Sequence, residues 1–218
     1  MSPHNIPNSI NDEARRRWEQ TWRDNSPESL PWEESRAVLV LVGLVEGNQV
    51  ATGAVLDICC STGANSAYLA LRGFEDSGKD ISPTAVVYAQ DRAQREGIRV
   101  GLRSGDTAYL PYPNAAFGFV FDRGCFHSIT PADREDDILG LHRVLKTGGR
   151  YQFSYFSRRS RNTESPSYGF TPGDIQRLRC SYFRILGLSE TISMEGDNQN
   201  IFLLAFMEKQ DIEKGVAG

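Results

Sequence analysis

The stretch Val55-Leu56-Asp57-Ile58-Cys59-Cys60-Ser61-Thr62-Gly63 constrains this chain more than any other. Val55 to Ile58 reads as a buried strand, and the small residues after it suit a tight loop. A helix follows at once: Ala64, Ala67, Tyr68 and Leu71 recur at the i, i+3, i+4, i+7 spacing of one face, and Gly73 tolerates a left-handed stop. Strand, turn and helix N-terminus together present free backbone N–H groups to a polar ligand.

The remaining chain repeats this alternation. Ser9 and Asp12 resemble a capping box ahead of a charged first helix that runs to Asp24 and carries Trp18 and Trp22 on one face. Those indoles either pack the helix onto the domain or close it over a ligand. Pro27 and Pro31-Trp32 make an irregular segment, and Glu33 to Val45 reads as an apolar helix ending near Gly47. Phe74 to Ile81 is a second strand by context, although Glu75, Asp76, Ser77 and Lys79 make it polar. Ser82-Pro83 caps a helix that stops at Gly97, and Ile98 to Arg103 alternates like a third strand. Phe117 to Phe121 is a strand buried on both faces with Asp122 at its tip. Thr130-Pro131 opens a helix closed by Gly148-Gly149, and Tyr151 to Phe156 is a fifth strand.

Beyond a polar loop holding Arg158, Arg159 and Arg161, the residues Thr171, Pro172 and Asp174 open another helix with Ile175, Leu178 and Tyr182 inward. Phe183–Ser193 and Asn200–Glu208 then form an antiparallel hairpin across the turn-rich Glu195 to Asn198. Alternating strands and helices imply an α/β fold with a parallel sheet and right-handed crossovers. At 218 residues the chain suits one domain. Its expected parts are N-terminal helices acting as a lid (1–48), the core (49–208) and a tail (209–218).

The formal net charge of -4 gives no electrostatic case for nucleic acid. No apolar run reaches the roughly 18 to 20 residues needed to span a bilayer, and the start lacks a signal peptide's apolar core, so a cytoplasmic protein is expected. The four cysteines, Cys59, Cys60, Cys125 and Cys180, are unevenly spaced, and neither structural zinc nor a disulfide framework is expected from them. No metal is expected at the site.

Open parallel sheets bind ligands beyond the C-terminal strand ends, where strand order reverses. Asp57, Asp80, Asp106 and Asp122 all sit at such tips. Asp80, a carboxylate 23 residues past Asp57, suits the two hydroxyls of a ribose. Neither the glycine pattern of a dinucleotide fold nor a triphosphate loop is present, so a nucleoside without polyphosphate is the expected ligand.

At this point the residues resemble a known family. Val55 to Gly63 resembles motif I of the class I S-adenosylmethionine-dependent methyltransferases, usually V-L-D-x-G-C-G-T-G. Asp80-Ile81-Ser82-Pro83, Gly105-Asp106, Asp122-Arg123-Gly124-Cys125-Phe126-His127 and Arg143 to Gly149 match in the family's order. The resemblance implies a Rossmann-like seven-stranded sheet, order 3-2-1-4-5-7-6, with strand seven antiparallel and helices on both faces. It places the turn from Asp57 through Cys59 and Ser61 to Gly63 along the methionine part and ribose of the cofactor. Asp80 and Ile81 would hold the ribose, Asp106 the adenine amino group, and Thr107 would lie beside the ring. Asp122 would also border the cofactor. The D-R-G-C-F-H sequence looks most like small-molecule thiol and thiopurine methyltransferases, and Pro31-Trp32 looks similar to their lid.

Two departures stand out: Cys59 and Ser61 replace family glycines, where a Cβ crowds the ligand or costs a few kcal/mol if φ must be positive. Asp122 and His127 are the candidates to orient or deprotonate the acceptor, though a buried histidine bonded to backbone fits His127 equally. Trp32, Arg123 and Arg158 are candidate substrate contacts, Arg123 alternatively pairing with Asp122. Arg158, Arg159 and Arg161 either steer an anionic acceptor or form a solvated loop. Cys125 reads as a packing residue. The expected activity is methyl transfer to a small nucleophile, sulfur before oxygen or nitrogen. The altered motif I motivates a second reading, a catalytically silent partner subunit; a nicotinamide oxidoreductase lacks its fingerprint.

Overall fold

The computed structural model describes residues 11–160, 169–179, 181–195 and 198–211. Seven strands form one sheet: β1 (Ala54–Ile58), β2 (Glu75–Asp80), β3 (Arg103–Ser104), β4 (Phe117–Arg123), β5 (Leu145–Phe156), β6 (Phe183–Glu195) and β7 (Asn198–Lys209). Their order is β3-β2-β1-β4-β5-β7-β6, with β7 antiparallel to both neighbours and the other pairs parallel. The helices are α1 (Asn11–Asp24), α2 (Leu39–Glu46), α3 (Ala64–Leu71), α4 (Pro83–Glu96), α5 (Arg134–Val144) and α6 (Pro172–Arg179). Sheet order, strand direction and flanking helices are as the sequence implied.

Period-two alternation divides the sheet between two cores. Leu56, Ile58, Val120, Tyr151, Phe153 and Tyr155 face Ile138 and Leu141 of α5 and Ile175 of α6. Val55, Phe119 and Phe121 face Leu41 and Leu44 of α2 and Leu69 of α3. Each fully buried aromatic or aliphatic side chain contributes about 1.5–3 kcal/mol. The reversal of strand order falls between β1 and β4, so the loops after these strands open at one cleft.

The polar β2 is a genuine strand, and the sheet absorbs its polar residues individually. Lys79 donates to the Tyr109 carbonyl at 2.5 Å, and Asp80 accepts from two backbone N–H groups at the cleft. At α4 the cap is as expected: the Ser82 hydroxyl accepts from Ala85 N–H at 3.2 Å, and Gly97 ends the helix with φ 65°.

Three boundaries differ from the sequence expectation. The helix expected from Glu33 starts only at Leu39, because residues 33 to 38 bind side chains of the β1 turn and α3; Val38 N–H, for example, donates to Asn65 Oδ1 at 3.1 Å. Only Arg103 and Ser104 pair as the third strand, since Leu102 N–H turns back to the Val100 carbonyl and breaks the run, although Gly101 N–H still reaches the Asp76 carbonyl of β2. Helix α5 ends at Val144 rather than at Gly148-Gly149, which lie within β5 where the β4 register shifts between Phe117 and Phe119. The expected caps and turns involving Ser9, Gly196 and Asp197, and the residues Arg161 and Cys180, lie outside the described residues.

Candidate active site

Four loops, those after β1, β2, β3 and β4, meet the segment from α1 to Val38 around a cavity of about 520 Å³. That volume is in the ordinary range for small-molecule sites. Of the residues anticipated for the cofactor, Cys59, Ser61, Asp80, Ile81, Asp106 and Thr107 line it, as do Trp32, Arg123 and His127.

The turn after β1 resolves the question posed by its missing glycines. Cys59 and Ser61 have φ of 53° and 56°, so both adopt the left-handed backbone for which glycine is favoured. Each side chain is tied down. The Ser61 hydroxyl donates to Glu33, whose second carboxylate oxygen accepts from Thr62 Oγ1 at 2.5 Å. Ser61 N–H donates to Asp80 Oδ2 at 3.0 Å, and Arg92 Nε donates to the Thr62 carbonyl at 2.9 Å. Cys59 is joined to Cys125 by a disulfide, which corrects the expectation of none, while Cys125 also packs in the core as its sequence reading has it. Local spacing carries no trace of a bond between loops 66 residues apart. Gly63 serves the scaffold instead of the cavity: its φ is 77°, and a Cβ there would lie 3.0 Å from Ala89 Cβ of α4.

Asp80 is 6% exposed, and burial lifts its carboxyl to about 6 against the pull of N–H donors from Ser82 and Ser61. Asp106 accepts from Ala108 N–H at 2.9 Å, which shapes the loop that also carries Thr107. Lys79, buried behind this loop, is lowered to about 8 by desolvation, with Asp106 opposing.

Three expected contacts are not made by the anticipated side chains. Asp57 is 1% exposed, accepts from Ser66 Oγ of α3 at 2.7 Å, and does not line the cavity; burial raises it to about 7. Asp122 shares the parity of Val120, so its carboxylate points into the core. There it accepts from Tyr151 and Tyr155 hydroxyls at 3.0 and 2.5 Å and from Cys125 N–H at 3.0 Å. The catalytic and cofactor roles expected of Asp122 are therefore corrected to one of shaping the loop after β4. Arg158 also stands away from the cavity, pairing with Asp174 at 3.3 Å, and Arg159 pairs with Glu190 at 2.7 Å. Arg123 pairs with Glu34 and donates to the Trp32 carbonyl at 3.1 Å.

His127 is 7% exposed, stacks on Phe156 with centroids 4.6 Å apart, and has a buried Nδ1 without a hydrogen-bond partner among the described residues. Desolvation, with the Arg123 charge second, lowers it to about 3, so the imidazole is neutral at ordinary pH. Both tryptophans line the cavity: Trp22 does so while packing with Leu30 and Ala85, and Trp18 lies edge-on to Trp32 at 5.7 Å. Glu33 and Phe202 were not anticipated, and Trp18 only as the alternative to packing. Glu33 adjoins Pro31-Trp32 in sequence, whereas Phe202 arrives from β7 and has no local signal.

A methyltransferase domain family matches residues 55–149. An uncharacterized methyltransferase of Schizosaccharomyces pombe is 32% identical over 108 residues, half of this chain and 74% of that protein. The chain belongs to the S-adenosylmethionine-dependent methyltransferases. The chain is also 30% identical over 146 residues to the 2-heptyl-1-hydroxyquinolin-4(1H)-one methyltransferase of Mycobacteroides abscessus, covering 65% of this chain and 64% of that enzyme. The match spans 43% of an uncharacterized relative from Synechocystis sp.. Among solved structures, the 1,6-didemethyltoxoflavin-N1-methyltransferase of Burkholderia thailandensis, with 1,6-didemethyltoxoflavin and S-adenosylhomocysteine bound, has a TM-score of 0.74 at 20% identity. That alignment covers 96% of this chain and 95% of the other. A structure from work on conversion of a disulfide into a thioacetal in echinomycin biosynthesis has a TM-score of 0.79 at 21% identity over 90% and 92% of the two chains. At these identities the structural likeness establishes the fold alone. The cofactor of the family is S-adenosylmethionine, and the cleft suits it: a buried carboxylate stands at the tip of β2, beside a turn whose backbone is held open by positive φ.

Proposed function

We propose that this methyltransferase transfers the methyl group of S-adenosylmethionine to a small planar heteroaromatic acceptor bearing an ionisable N–H, O–H or S–H. The observation that carries this reading is the character of the cavity. One end has Asp80, Ile81, Asp106 and Thr107 for a nucleoside; the other has Trp18, Trp32, His127 and Phe156, a wall of rings suited to a flat molecule. The relatives that act on a hydroxyquinolone and on didemethyltoxoflavin support this acceptor class. A thiol acceptor stays within it.

The cofactor supplies a carbon already activated by its sulfonium charge. The chain's own work is to align the acceptor and exclude water. Asp80 and Asp106 are the groups to hold the ribose and adenine, and Trp18 and Trp32 to cover the cleft. His127, neutral, has Nε2, the ring nitrogen that is not sealed from the cavity, to accept a hydrogen bond from the acceptor or donate one, according to its tautomer.

Calorimetry with S-adenosylhomocysteine, followed by methylation assays on hydroxyquinolones, pteridine-like heterocycles and heteroaromatic thiols, tests the reading. Binding is expected in the micromolar range with turnover of at least one class. Asp80→Asn should weaken S-adenosylhomocysteine by a hundredfold or more, the order expected from losing charged bonds to two hydroxyls. Binding with no turnover of any acceptor would favour the silent-subunit reading; no binding would remove both the cofactor and the activity.

A further inference from the structure

We propose that Cys59 and Cys125 form a thiol-exchange site inside the cofactor cavity, where a small thiol opens the disulfide and so loosens the turn that grips the cofactor. The inference rests on the cavity being the cofactor site. Both cysteines line that cavity, their Cα atoms 5.5 Å apart, and each belongs to a different cofactor loop. Thr107, from the third loop, places Oγ1 3.6 Å from Cys125 Sγ. The bond therefore stands where three of the four cavity loops converge, rather than on the outer surface where a structural staple would serve as well.

The two sulfurs are unequal. Cys59 is half-buried on the cavity wall, while Cys125 is 5% exposed. A thiolate that enters meets Cys59 Sγ first. Its sulfur forms a bond to Cys59 Sγ as the Cys59–Cys125 bond breaks, and the electron pair leaves on Cys125 Sγ, which the Thr107 hydroxyl can stabilise by donating to it. A second thiolate attacks the mixed disulfide and departs as the symmetrical disulfide, leaving Cys59 as a thiolate. Two thiols lose two electrons; the protein gains them, and water protonates the new thiolates. Cys60 does not intervene. It is a buried free thiol, pushed well up by desolvation and by Asp57, Asp80 and Asp76, and so stays protonated.

The consequence for the cofactor follows from the backbone. Cys59 holds φ at 53°, a region that residues with a Cβ leave by preference. Its bond to Cys125 is the covalent tether opposing that relaxation; Ser61, at φ 56°, is held only by hydrogen bonds. Freed from Cys125, the turn is expected to lose about tenfold in cofactor affinity, the factor that matches the preference against a left-handed residue.

The test uses the whole protein purified without reductant. Alkylation followed by peptide mass mapping should show Cys59 linked to Cys125 and Cys60 as a free thiol. Treatment with 2-mercaptoethanol should open that link and raise the S-adenosylhomocysteine dissociation constant about tenfold by calorimetry; 2-hydroxyethyl disulfide should restore both. Cys125→Ser should show the weaker value with and without reductant. Absence of the linked peptide, or equal affinity in both states, overturns the proposal. If S-adenosylhomocysteine binds in neither state while the link is present, the cofactor reading itself has failed, a result distinct from equal binding in both.

Discussion

His127 shows how burial can decide a residue's chemistry. A histidine in an acceptor site suggests a base that titrates near neutrality, but desolvation lowers this one to about 3. It cannot store a proton at working pH, so the role we propose for it is to orient the acceptor. The pH profile of kcat/KM should accordingly show no inflection near 6.5 from this group, and His127→Ala should cost about 10²-fold in kcat/KM without creating one. An inflection near 6.5 that vanishes in the variant would restore the base role.

The sequence made some residues legible and others not. Ile81, Asp106 and Thr107 were readable because loop position at a strand tip is enough to bring them to the cleft, and Asp80 because it is the last residue of β2. Asp122 and Asp57 are strand residues, for which the side that each faces matters more than the position along the chain. In a strand apolar on both faces, such as Phe117 to Phe121, no alternation reveals that side. The Cys59–Cys125 bond and the Phe202 ring depend on long-range proximity, which no local pattern records.

At the scale of elements, the first helix is fixed by one acid. Glu19 accepts from Ser82 Oγ at 2.6 Å, Thr84 N–H at 3.1 Å and Thr84 Oγ1 at 2.8 Å, so α1 supplies a cap for the N-terminus of α4. Burial pushes its carboxyl up, but the Ser82 and Thr84 bonds together outweigh it and carry it down to about 2. The folded value lies below the ordinary one, so this stabilisation is present above about 4.5 and is lost as pH falls toward 2. Glu19→Gln should lower Tm by about 2–4 °C at neutral pH, in line with a cap worth about 1 kcal/mol, read by calorimetry. It should also raise the KM for the acceptor, because Trp18 rides on the same helix. The extended run from Glu33 to Val38 was the element least legible beforehand. Its apolar spacing suits a helix, yet hydrogen bonds to Ser61, Thr62 and Asn65 hold it open.

For the whole molecule, buried carboxyls on β1 and β2 set the response to pH. Burial raises Asp57 to about 7, Asp80 to about 6 and Asp76 well above its usual value. The native state keeps protons that the unfolded chain releases near 3.8, so these groups lose their stability contribution as pH rises from about 4 through their folded values. Below 6.5, His127 opposes this slope, because the unfolded chain binds a proton that the native ring refuses. Above 6.5 the carboxyls act without that opposition. Tm should therefore fall between pH 6.5 and 8, and Asp76→Asn, at a side chain with no hydrogen-bond partner among the described residues, should flatten the fall. An unchanged slope in the variant would place the proton elsewhere. Among the described residues no helix is long and apolar enough to cross a membrane.

The bonds from Glu33 to Ser61 and Thr62 also bear on speed. If the segment that carries Glu33 covers the bound cofactor, as proposed, each turnover would require these bonds to part and re-form. Motions of covering loops fall in the microsecond to millisecond range or slower, and in many enzymes they outlast the chemical step. Rapid-quench measurements with saturating acceptor should then show a burst of methylated product close to one equivalent before the steady state. Glu33→Gln, which weakens the fastening, should quicken the steady rate while leaving the burst phase in place.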